Sequence, residues 1–153
     1  MSFAELLAPE TSTAITLAVY ALAGAIGLMG MLGRRVAWRR AACALAGAAF
    51  VCQTLMLALG VHGAHPGGLT LGAYLQMLAW FILLCGLALW ARFRQEAPLI
   101  FAALLGLILF LMSTPWLELA VPLPASLRAP FFALHIGALF LSLGLLTLAF
   151  AAG

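Results

Sequence analysis

Residues 12–40 read STAITLAVYALAGAIGLMGMLGRRVAWRR, an uncharged run as far as Gly33 followed by four arginines around one tryptophan. A helix crosses a bilayer with about 20 consecutive apolar residues, and the run from Ser12 to Gly33 has that length. Gly24, Gly27, Gly30 and Gly33 recur at every third position, and Ala21 lies four before Ala25. Small residues so spaced let a second helix backbone come close. The cluster Arg34, Arg35, Arg39 and Arg40 with Trp38 reads as a short cytoplasmic turn anchored at the headgroups.

The rest of the chain repeats this alternation. A second span is expected over 41–61, and the glycine- and proline-rich stretch HGAHPGG at 62–68 breaks the helix. A third span over 69–91 ends in Trp90, Arg92 and Arg94, and a fourth runs over 97–114. Pro115, Pro122, Pro124 and Pro130 mark the longest connection, and a fifth span covers 131–152. The expected fold is an all-α polytopic transmembrane bundle of about five helices in a single domain. Six of the seven arginines fall on one side of this arrangement, which predicts the N-terminus outside (periplasmic) and the C-terminus inside.

Composition agrees. Of 153 residues 67% are hydrophobic and 7% charged, whereas soluble domains carry roughly 25% charged residues. Lys and Asp are absent, so the net charge of +3 rests on Arg and Glu alone, and no basic solvent-exposed domain of the kind that binds nucleic acid is present. Glu5 and Glu10 replace the basic start of a cleavable signal, so the first span is expected to remain. Cys43, Cys52 and Cys85 lie in apolar segments without C-x-x-C spacing and read as small buried hydrophobes.

Polar groups inside a membrane are costly, which makes the few present the best pointers to function. They are Gln53, Gln76 and His135, with His62 and His65 in the connecting turn. Gln76 and Trp80, at i and i+4, share a face, and both glutamines read most simply as interhelical hydrogen-bonding groups. His135 and Ser142 also share a face, predicting a moderately polar stripe turned toward other helices. His135 reads either as a hydrogen-bonding side chain or as a ligand to haem iron. No H-E-x-x-H, G-x-S-x-G or P-loop pattern occurs, and no Asp or Glu falls inside the expected spans, so no catalytic activity is expected and proton-coupled transport lacks its residues.

The stretch LHIGALFLSLGLLTLAF at 134–150 resembles the signature helix of the cytochrome c assembly membrane protein family, in its HemX-like and YpjD-like inner-membrane branch. AWRRAACALAGAAFVCQTL at 37–55 is similar to that family's second span, and YLQMLAW at 74–80 to the start of its third. The resemblance covers the first five spans of a larger family fold. It implies a bacterial inner-membrane protein that handles haem or serves cytochrome c biogenesis, with His135 at the position of an external haem ligand and His62, His65 and Gln53 as weaker candidates. Relatives carry a histidine where this chain has Gln53, and the tryptophan-rich haem-presenting segment of true synthases has no counterpart here. The implied role is therefore an accessory one and not a complete synthase, with further helices supplied by another cytochrome c assembly subunit or a second copy. Two alternatives stand beside it: a cofactor-free structural or assembly subunit of a larger membrane complex, and a small channel or transporter.

Overall fold

The computed structural model describes residues 9–59, 70–117 and 130–152. Among them the protein is all-helical: α1 (Pro9–Leu32), α2 (Val36–Ala58), α3 (Leu71–Phe93), α4 (Ala97–Ser113) with a single 3-10 turn (Thr114–Trp116), and α5 (Pro130–Ala152). The expected first, third, fourth and fifth spans match these helices closely. The second begins earlier, at Val36, so Trp38, Arg39 and Arg40 belong to the first turns of α2 and not to the preceding turn.

That turn is short because α1 closes on itself. Arg35 N donates to the carbonyl of Gly30 and Arg34 N to that of Met31, the paired bonds that end a helix around one left-handed residue. The left-handed residue is Arg34, φ 50°, where glycine is the usual occupant. Arg94, φ 57°, plays the same part after α3, donating to the Trp90 carbonyl. Both connections therefore end a helix on an arginine and start the next within a few residues.

α1 lies along α2, and α3 along α4; the two pairs meet mainly where α1 packs on α4. Gly24 faces Leu104 and Gly27 faces Ile100, while Tyr20 sits against Gly106, so α1 and α4 run antiparallel at close range. The spacing of small residues along the first span thus does the work expected of it at Gly24 and Gly27. Gly72 in α3 lies so near α4 that a Cβ there would come 2.7 Å from the Ser113 carbonyl oxygen. α5 packs on α3 and more lightly on α4, with no contact to α1 or α2 among the described residues.

The burial pattern suits a lipid solvent. Alanines and polar side chains, including Ala46, Ala49, Ala102, Gln53 and Gln76, share the interior with larger apolar ones such as Ile82, Leu99 and Phe110, while Leu22, Val51, Leu55, Ile108, Leu139 and Leu146 face outward. A water-soluble protein rarely exposes contiguous apolar surface on this scale. Four helices, α1 to α4, are long and apolar enough to cross a membrane; α5 is apolar over the shorter stretch His135–Phe150. Glu10 enters the first turn of α1, just ahead of where the first span was expected to begin.

Candidate functional site

The interior carries a chain of hydrogen bonds that links all four helices of the body. Tyr20 of α1 donates its hydroxyl proton to Gln53 Oε1 of α2. Gln53 Nε2 donates to the Gln76 carbonyl of α3 at 2.8 Å, and Gln76 Nε2 donates to Ser113 Oγ of α4 at 3.3 Å. Ser113 Oγ in turn donates to the Phe110 carbonyl at 2.6 Å. Tyr20, Gln53 and Ser113 are fully buried and Gln76 is 1% exposed, so none of these groups can fall back on solvent. In such surroundings an unpaired polar group is expensive, and pairing across helices is what makes these residues tolerable.

Neighbouring groups extend the pattern. Thr16 Oγ1 approaches Ser12 O at 2.8 Å and Met56 Sδ at 3.1 Å, and Trp80 Nε1 donates to Thr54 Oγ1 at 2.8 Å. Trp80 also stacks on Phe50 of α2 and meets Phe81 edge-on, and Phe81 meets Phe140 of α5. α2 and α3 share little backbone contact, so these side chains are what join them.

The sequence singled out Gln53 and Gln76, and the structure brings them together. It missed Tyr20 and Ser113. Tyr20 had a signal: tyrosine favours the membrane interface, and one lying eleven positions into a helix that starts at Pro9 is out of place unless its hydroxyl has a partner. Ser113 had none, because a serine at the end of an apolar run reads as a boundary.

His135 lies elsewhere. It is exposed on α5, as is Ser142, so the polar stripe does not face other helices as expected. The face of α5 that packs is made by Gly137, Phe140, Gly144 and the fully buried Leu148, because small residues and a flat ring let α5 approach α3. His135 and Gln53 are not brought together, since α5 does not reach α2. His62 and His65 lie outside the described residues.

Among the described residues haem would find one imidazole open to it, that of His135. Gln53 is a poor second donor, its oxygen accepting from Tyr20 and its nitrogen giving a proton to Gln76. No cluster of three metal-ligating side chains occurs among the described residues. Cys43 and Cys85 are buried and Cys52 is half-buried, all three as free thiols. Comparison with known proteins finds no family model that matches the chain and no characterised protein or solved structure similar to it.

Proposed function

We propose that the chain is an accessory membrane protein of the haem-handling kind that its sequence resembles, with α1 to α4 as scaffold and α5 as the working helix. The observation that carries this reading is the exposure of His135. The buried side chains of Tyr20, Gln53, Gln76 and Ser113 are engaged in hydrogen bonds to one another and to backbone carbonyls, whereas His135 presents an ionisable ring on an outer face of α5 that it shares with Ser142 and with leucines. An intramembrane ionisable residue is a functional candidate by default, and neutral imidazole is a common iron ligand. In this reading α5 also spans, the arginine-rich end is cytoplasmic in a bacterial inner membrane, and His135 lies in the outer half. His135 would hold haem there, which would supply an iron centre for a partner subunit or a second copy.

The test is optical. The purified chain, titrated with haem in detergent, is expected to develop a Soret band that His135→Ala loses or shifts. Absence of a band with the wild-type protein, or an unchanged band with the variant, refutes the ligand assignment.

A second reading, a cofactor-free structural or assembly subunit, draws support from the same network: Tyr20, Gln53, Gln76 and Ser113 are arranged to hold helices together. Native mass spectrometry separates the two, because a stoichiometric protein partner without haem mass favours the second.

A further inference from the structure

The two short turns, α1 to α2 and α3 to α4, lie side by side at one end of the bundle, where Arg39 Nε approaches Glu96 Oε2 at 3.0 Å. Arg39 Nε is buried and has no aligned hydrogen bond among the described residues, so the pair is a meeting of charges. Glu96 is the one described carboxylate at this end. Around it Arg34, Arg35, Arg40, Arg92 and Arg94 are all exposed. Three of these guanidinium groups lie over aromatic rings: Arg35 over Trp38 at 5.6 Å, Arg92 over Phe93 at 5.4 Å and Arg94 over Trp90 at 5.6 Å.

Setting the orientation of a membrane protein needs positive charge only, and lysine serves as well as arginine. This chain has no lysine. What arginine adds is a planar fork that stacks on a ring and offers paired N–H groups to a phosphate. The backbone adds an independent sign, since two of the arginines occupy the left-handed positions, φ 50° and φ 57°, that glycine fills more easily. Arg94 is at once in a left-handed turn and over a ring, and with Arg35 and Arg92 on their own rings it forms a prepared cationic surface at this end.

We propose that this end of the bundle binds the phosphate of an anionic phospholipid headgroup between the two turns. The proposal rests on the helices crossing a bilayer and is independent of haem. Its occupant follows from charge: among the described residues five exposed guanidinium groups stand against one carboxylate at this end, Glu96, which already faces Arg39, and that balance selects a negatively charged lipid over a zwitterionic one.

The experiment uses the full chain in non-ionic detergent, titrated with phosphatidylglycerol or with phosphatidylcholine of matched acyl length, and read by native mass spectrometry. Phosphatidylglycerol is expected to be retained and phosphatidylcholine not. Arg40→Gln should weaken retention about 5-fold and the double variant Arg35→Gln/Arg94→Gln about 25-fold, at the usual worth of one basic residue near an anionic lipid surface. Arg35→Lys/Arg94→Lys should also bind less, because it keeps charge and loses the fork. Equal retention of the two lipids overturns the proposal, as does wild-type binding by the Gln or Lys variants. Displacement of the lipid by excess inorganic phosphate would reassign the surface to free phosphate and overturn it too. Carbonate extraction of membranes tests the spanning itself, so failure there is distinguishable from failure of the lipid titration.

Discussion

α3 packs chiefly on α4 and α5 and meets them differently. Toward α4 the approach is as close as backbone allows: a Cβ at Gly72 would lie 2.7 Å from a carbonyl oxygen, and one at Gly86 would lie 2.8 Å from Ala102 Cβ. Toward α5 there is slack, since a Cβ at Gly144 would sit 3.5 Å from Cys85 Sγ and one at Gly137 3.9 Å from the Phe81 ring. Hydrogen bonds follow the same division, with Gln76 tied to Ser113 on the α4 side and only ring and aliphatic contacts described on the α5 side. The four-helix body is thus specified by both shape and polar pairing, and α5 by shape alone. A membrane bundle gains little from the hydrophobic effect between its helices, so those two terms decide which helices hold fast.

The largest effect that should separate the two sides comes from glycine. Gly72→Ala should destabilise the protein by roughly 2–3 kcal/mol, because backbone must move to admit one methyl. Gly144→Ala should stay within about 0.5 kcal/mol, the new methyl making an ordinary contact. Unfolding in mixed micelles with SDS measures both, and equal costs would erase the distinction. Next comes the network: Gln53→Leu should cost roughly 1–2 kcal/mol by leaving the Tyr20 hydroxyl without its acceptor. A double-mutant cycle with Tyr20→Phe should show coupling, since the two changes remove one shared bond. Smallest of all, His135→Ala should change stability by less than about 0.5 kcal/mol, its exposed ring supporting no packing, even where it abolishes a haem spectrum.

How much of this could be read beforehand differs by feature. Helix number was legible because bilayer length and arginine punctuation are one-dimensional signals. The start of α2 was not, because placing it required knowing that Arg34 would adopt the left-handed backbone normally left to glycine. Gln53 and Gln76 stood out as polar residues in apolar runs, yet their connection depends on which helices adjoin, and α1 sits beside α4 and not α3. The His135 and Ser142 stripe failed for a related reason: periodicity says which residues share a face, but Gly137, Phe140 and Gly144 decided which face was turned inward.

The aromatic series Phe50, Trp80, Phe81 and Phe140 runs from α2 through α3 to α5. Of the other three tryptophans, Trp38 and Trp116 are exposed near helix ends and Trp90 lies under Arg94. Trp80 is therefore an optical sensor built into the bundle: its indole is anchored on Thr54 and its neighbour Phe81 touches the helix that carries His135. A protein that keeps Trp80 and has phenylalanine at the other three positions would report displacement of α5 through its emission, without any attached label.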